Sequence, residues 1–363
     1  MKFNLNELSK EEKIGQMLIV GMETNYITDR IKTLIQKYKI GGIILYRKNF
    51  GTYTDLIKLI NELKELNKNN KIPLIIAIDQ EGGRVNRLPN EFHKFPSSNL
   101  LEKSGGDKLV EEASNIIAEI LANSGFNMNF APVLDLKNSK DRDAIGDRAY
   151  SNDIDVVAKD GIAFMKQMQN RNIIPVIKHF PGHGATKQDS HHILPIIQKS
   201  YLELEKKDMI PFETAIKNGA DAMLVGHLVI PKLTMTNPAS LSRIFIGKYI
   251  RKKLRYNKVL ITDDLKMRAI KLFYGEVRAT KKAFEAGNDI IVFRYNKQKE
   301  EKAIEKLLSL YDKNIGRVNR SVVRILKEKE RYNINDNKVI PTINKENINE
   351  RIDKIRKECN LLI

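Results

Sequence analysis

"IIPVIKHF" (173–180) is an apolar run that ends on Lys178, His179 and Phe180 and then breaks into "PGHGATKQDSHHILP" (181–195). Its apolar residues are consecutive and largely β-branched. That is the pattern of a strand buried on both faces, as parallel strands between helices are. Seven other runs share it: "MLIVGM" (17–22), "GGIILY" (41–46), "LIIAID" (74–79), "MNFAPVLDL" (128–136), "AMLVGHLVI" (222–230), "VLITDDL" (259–265) and "IIVFRY" (290–295).

Between several of these runs lie helix patterns. In 54–68, Leu56, Leu59, Ile60, Leu63 and Leu66 fall at helical spacing, and 107–125 ends on a Gly in the C-cap position. Stretches 155–172 and 276–288 read the same way. Strands alternating with helices predict an α/β fold, a (β/α)8 TIM-type barrel in a single domain. An open doubly wound sheet would fit the alternation too, but no Gly-rich dinucleotide fingerprint follows the first strands. The barrel is expected over 1–312. From 313 the sequence turns to charged helix, so 313–363 reads as a helical extension packed outside the barrel.

A chain of 363 residues with 42% hydrophobic content can bury a sizeable core. The net charge of +18 admits an anionic partner, but Lys and Arg are spread along the whole length among 45 acids. They read as solvated surface, with no nucleic-acid partner. The single Cys359 excludes an intramolecular disulfide and a Cys-rich zinc site. No run approaches 18 apolar residues and the N-terminus has no apolar h-region. The expectation is a cytoplasmic enzyme without a membrane partner, monomeric by default, unless a leader was removed.

In a parallel barrel, chemistry sits at the C-terminal ends of the strands. Here those ends carry Asp79 running into "QEGGRVNR", Asp135 followed by "IGDRAY" with Arg148, then "KHF", His227, and the pair Asp263–Asp264. A lone strand-end Asp is as often a helix cap, but several converge on one mouth. In "VLITDDLKM" one carboxylate can attack an electrophilic carbon while its neighbour caps the helix beginning near Lys266. In "DQEGGRVNR", Asp79 and Arg87 can hydrogen-bond a polyhydroxylated ligand. Pro181, Gly182 and Gly184 keep His179 and His183 from forming the helical pair of a zinc site, so no metal is expected. In "DSHH", Asp189 lies two residues before His191 and can orient its imidazole. A His–Asp pair in a loop over the mouth, facing a strand-end carboxylate, supplies an acid/base and a nucleophile.

Together "KHFPGHG" with "DSH" and "LP", "TDDLKM", "DQEGGRVNR", "NFAPVLDL" and "PASLS" (238–242) resemble glycoside hydrolase family 3, in particular its single-domain bacterial β-N-acetylglucosaminidases. The likeness runs in family order from "LSKEEKIGQMLIVG" to "AFEAGNDIIVF", most of the chain. It implies a β-N-acetylhexosaminidase that removes terminal N-acetylglucosamine from a small-molecule glycoside or muropeptide, as in peptidoglycan recycling, without a cofactor. Asp263 would be the nucleophile and His191 the acid/base, with Asp189 as its partner. Asp79, Arg87, Arg148, Lys178 and His179 would bind the terminal sugar. The implied mechanism is retaining, through a glycosyl-Asp intermediate. Ala185 departs from the family's usual Asp, which bears on the loop's hydrogen bonds and not on these roles. His183 and His192 are left as loop structure. A neutral His does not repel an anion, so a phosphorylase is one alternative. A non-catalytic sensor of cell-wall fragments is the other.

Overall fold

A computed structural model describes residues 3–137, 145–185, 194–294 and 300–361. Eight strands run in chain order: β1 Leu18–Gly21, β2 Gly42–Leu45, β3 Ile75–Ile78, β4 Met128–Asn129, β5 Ile174–Phe180, β6 Ala222–Val225, β7 Val259–Thr262 and β8 Ile291–Phe293. Each coincides with one of the apolar runs, and every strand residue is buried. All pairings are parallel, in the order β7-β6-β5-β4-β3-β2-β1-β8. The ends of that order meet: Ile261 bridges Ile290, and the Thr262 N–H donates to the Ile290 carbonyl at 3.0 Å. The protein is a (β/α)8 barrel.

Two local departures have simple causes. The run 128–136 keeps only two residues as strand, because Pro132 has no N–H to give a ladder. The chain beyond runs on beside β5 through a bridge between Val133 and Lys178 and so delivers Asp135 to the mouth. The helix expected from 107 begins instead at Ser98 and ends at Ser124. It passes through Gly106, whose φ of 61° interrupts it, and closes on Gly125 at φ 88°.

Helix Ile315–Arg331 closes the N-terminal face of the barrel. Its buried Val318, Val322, Ile325 and Leu326 join the main core, and its polar residues bind the chain just upstream of the strands. Lys329 donates to Gln16 Oε1 at 2.6 Å and to the carbonyls of Gly41 and Pro73 at 3.0 and 2.6 Å, ahead of β1, β2 and β3. Three acceptors satisfy the three donors of a buried ammonium. Asp289, ahead of β8, takes Ser321 and Arg324 from this helix at 2.5 and 3.1 Å and Arg251 at 2.5 Å. Helix Lys345–Glu358 lays Ile348, Ile352 and Ile355 against the rest of the core. No helix of the described residues is long and apolar enough to cross a membrane.

One buried group works against stability. Asp160, on helix Ile154–Asn170, is 2% exposed and its Oδ2 has no hydrogen-bond partner. Burial first, then Glu102 and Asp107, push its pKa up to about 7 from an ordinary 3.8, against the pull of Lys159. The folded state therefore binds a proton that the unfolded state has lost between those values, and stability falls as pH rises through that window. The cost is absent below about pH 4 and complete above about pH 7, on the order of 3–4 kcal/mol at most. Asp160→Asn should raise the melting temperature relative to the parent clearly more at pH 8 than at pH 5. An equal difference at both pH values would show that Asp160 does not titrate in this range.

Candidate active site

A cavity of about 160 Å³ opens at the C-terminal ends of the strands. Its floor is apolar, from Ile44, Phe130, Leu224 and Val292, and its walls carry nearly all the titratable groups of the mouth. All the expected sugar-binding residues line it: Asp79, Arg87, Arg148, Lys178 and His179. So does Asp263. Asp189, His191 and His192 lie outside the described residues.

The loop after β3 is shaped to hold Arg87 there. Gly82 and Gly83 have φ of 100° and 52°, and a Cβ on Gly83 would meet the Ser97 side chain at 2.7 Å, so only glycine fits the turn. Gln80 then spans the loop. Its N–H donates to Asn129 Oδ1 at 2.9 Å, its Nε2 donates to Asn86 at 2.7 Å, and its Oε1 accepts from the Arg87 N–H at 2.7 Å. Arg84 ties this loop to the next through Asp147 at 3.1 Å and the Ile145 carbonyl at 2.8 Å, which sets Arg148 beside it.

Glu81, 5% exposed, is the centre of the polar wall. Arg148 grips it with two parallel bonds, Nε to Oε2 and Nη2 to Oε1, both 2.8 Å. Lys178 Nζ lies 2.5 Å from Oε1 and also donates to Asp79 Oδ1 at 2.9 Å. Burial opposes the charge on Glu81, yet Arg148 and Lys178 outweigh it and hold the carboxyl well below the usual range. Burial likewise works against the Lys178 ammonium, while Asp79 and Glu81 more than compensate and raise its pKa. The wall is thus a fixed alternation of charges at neutral pH, whose outer member, Asp79, keeps a side chain 23% exposed.

His179 is held from behind. Its Nδ1 is 2.6 Å from Oδ2 of Asp135, which is fully buried, and its backbone N–H points at the same carboxylate. The other Asp135 oxygen accepts the His183 N–H at 2.6 Å. Burial opposes the Asp135 charge, but His179 and His183 keep its carboxyl below the ordinary value. With Nδ1 on a carboxylate, the ring turns Nε2 toward Arg148, 3.5 Å away, and the cavity. His183, expected to be loop structure, is 4% exposed, lines the cavity and meets the His179 ring edge-on at 5.9 Å. Burial lowers its pKa.

The two strand-end aspartates of β7 have separate positions. Asp264 is tied into the scaffold: Oδ1 accepts the N–H groups of Lys266 and Arg294 at 3.0 and 2.8 Å, and its carbonyl faces His227 Nε2 at 3.0 Å. Burial lowers the His227 pKa, so the neutral ring donates from Nε2 and accepts from Ser240 Oγ, 2.6 Å from Nδ1. Asp264 caps a turn here, since the helix that follows starts only at Arg268. Asp263, its N–H on the Val225 carbonyl at 3.2 Å, has Oδ1 on the Asp264 N–H at 2.8 Å.

Four titratable residues of this cavity carry no site role in the sequence reading: Glu81, His183, Tyr46 and Arg294. Arg294 lies over the Tyr46 ring at 4.9 Å and pairs with Asp264 at 3.4 Å. Glu81 follows Asp79 by two, so in extended chain the pair shares a face, but that spacing does not mark the two cations that meet at Glu81.

Comparison with known proteins bears on the chain as a whole. Residues 9–327 match the family described as the glycosyl hydrolase family 3 N terminal domain. A beta-hexosaminidase of Nitrosospira multiformis is 29% identical over 296 residues, 80% of this chain and 83% of that one. A beta-hexosaminidase of Neisseria meningitidis serogroup A is 33% identical, covering 73% and 74%. Among solved structures, a glycoside hydrolase family 3 beta-N-acetylglucosaminidase from Paenibacillus sp. str. FPU-7 has a TM-score of 0.91 and 33% identity, covering 97% of this chain and 69% of that chain. A barrel of this strand order, with a carboxylate after β7 facing a wall of fixed charges after β3 to β5, is carried by a sequence that matches the family over most of its length: the chain belongs to glycosyl hydrolase family 3.

Proposed function

We propose that the protein is a retaining exo-β-N-acetylglucosaminidase, acting on small glycosides such as peptidoglycan-derived muropeptides. The observation that carries this reading is the Asp263 carboxylate lining the same small cavity as the Asp79–Lys178–Glu81–Arg148 wall. Ligand clefts run to roughly 300–1,000 Å³, so a space of about 160 Å³ suits one terminal ring and favours release from a chain end. Relatives named beta-hexosaminidase support a 2-acetamido sugar in that space.

In the first step Asp263 attacks the anomeric carbon. The bond from carbon to leaving oxygen breaks, and His191, charged and oriented by Asp189, gives that oxygen its proton. In the second, neutral His191 takes a proton from water. The water oxygen bonds to the same carbon and the Asp263 carboxylate departs. Asp79, Lys178 and Arg148 bind ring hydroxyls without rearranging, because Glu81 has already fixed the cations. His179, clamped by Asp135, forms the adjoining wall.

Hydrolysis of an aryl β-N-acetylglucosaminide followed by proton NMR tests this. The β-anomer should form first, and phosphate should leave the product unchanged. First appearance of the α-anomer would overturn retention, a sugar 1-phosphate would make the enzyme a phosphorylase, and binding without turnover would make it a sensor.

A further inference from the structure

The cations that appear scattered along the sequence are gathered by the fold. Helix Ile315–Arg331 buries one face, and along its other side Arg317, Arg320, Arg324 and Lys327 form a stripe, Arg320 and Lys327 exposed and Arg317 and Arg324 half-buried. From Arg317 to Lys327 the stripe runs about 15 Å at 1.5 Å per residue. Cavities of about 690 and 1,080 Å³ adjoin it and share Arg320 and Arg324, which makes one concave path along the outer wall to the N-terminal face, sharing no lining residue with the active-site cavity. Ten cationic side chains line this path against three carboxylates. Arg251 and Arg324 are paired with Asp289 behind it, and Lys258 with Asp221 and Glu328, while Arg320 and Lys327 stand exposed.

Arg317 points to an anion in particular. Its Nη2 reaches the Asn288 carbonyl at 2.5 Å, its Nη1 donates to Ser321 Oγ at 3.3 Å and its plane lies on Phe284 at 4.1 Å, but its Nε is buried with no hydrogen-bond partner. Burial brings its pKa down to about 10; Asp289 opposes this, and repulsion by Arg251, Arg324 and Arg320 adds to it. A buried donor left unmade and a cation among cations are both relieved by an incoming oxyanion. The exposed Arg320 and Lys327 lie on the same helix face as Arg317 and Arg324, so the cations follow one line, which suits an anion that repeats its charge along its length.

We propose that this groove binds a linear phosphate polyanion along the Arg317–Lys327 stripe. A concave path disfavours a flat membrane, and Tyr256, the aromatic residue in its lining, is only 2% exposed and offers no platform for stacking bases.

The test titrates the full-length protein with medium-chain inorganic polyphosphate, with mixed-sequence single-stranded DNA and with phosphatidylglycerol vesicles at equal phosphate concentration. Polyphosphate should bind saturably and best, with log K falling against log salt with a slope of roughly −2 to −3 for three or four phosphates. Arg320→Ala with Lys327→Ala, two exposed side chains without a partner among the described residues, should weaken binding at least tenfold. Melting temperature and aryl glycoside turnover should not change. Arg320→Lys with Lys327→Arg should bind as the parent does. Unchanged binding by the alanine pair, or tighter binding of DNA or vesicles, would overturn the proposal.

Discussion

Asp263→Ala should abolish turnover of an aryl β-N-acetylglucosaminide by roughly 10⁴-fold or more, the scale on which loss of a covalent nucleophile is felt. Stability should fall less than in the Asp264 variant, because Asp263 Oδ1 accepts the Asp264 N–H whereas Asp264 anchors the turn after β7 through the N–H groups of Lys266 and Arg294. The stronger half of the expectation is chemical. Truncation opens space on the face of the sugar that Asp263 occupied, and azide at high concentration can enter it. Azide nitrogen then bonds to the anomeric carbon as the aryloxide leaves, in one displacement. The product should be the α-glycosyl azide, and turnover should recover in proportion to azide. Asp264→Ala is the discriminating control. It should lower the melting temperature, since the N–H groups of Lys266 and Arg294 lose their acceptor. Azide should not rescue it. Rescue in the Asp264 variant and none in the Asp263 variant would reverse the assignment of the pair.

Why sequence separated some parts of this site and not others follows from where the information lies. Eight strands were legible because each is buried on both faces, so burial wrote itself as unbroken apolar runs. The early start of the helix at Ser98 was not, because "SGG" at 104–106 reads as an end and only tertiary packing carries the chain through Gly106. Asp79, Lys178 and Asp263 stand at strand ends, and strand ends of a parallel barrel meet at one mouth, so their convergence follows from topology. Glu81 was hidden for the opposite reason. What makes it central is not its position but two cations brought to it from the ends of other segments, Arg148 and Lys178, and no local pattern encodes that meeting. His183 was obscured by its glycines, which suggest an open turn. Gly184 instead packs so closely that a Cβ there would fall 1.9 Å from the Leu136 carbonyl oxygen. The basic stripe at Arg317, Arg320, Arg324 and Lys327 has helical spacing in plain view. Overall dispersion of charge concealed it, since counting along a chain does not show which cations share a surface.

Glu81→Gln carries the second large expectation, because it removes one negative charge from between two buried positive ones. Glutamine keeps the shape but offers one carbonyl where Arg148 and Lys178 now make three short contacts, and its amide nitrogen faces a donor. Breaking a buried pair on one side typically costs about 3–5 kcal/mol, since the partner charge stays behind without compensation. Asp79 can still hold Lys178, so Arg148 bears the larger share of the loss. The melting temperature should fall by several degrees at pH 7, and kcat/KM by at least about a hundredfold as the cations drift from the positions proposed to bind the sugar. The pH dependence separates charge from shape. Glu81 has a folded pKa far below its ordinary 4.5, so its contribution is complete above that value and is lost as pH falls through and below it. The stability gap between parent and variant should therefore be widest at neutral pH and narrow steadily from pH 5 toward pH 3. Asp135 shares the sign of this shift and is present in both proteins, so it cancels from the difference. A gap that stays constant with pH would mean that Glu81 contributes packing alone, and the charged wall would then have to be organised from Asp79 and not from Glu81.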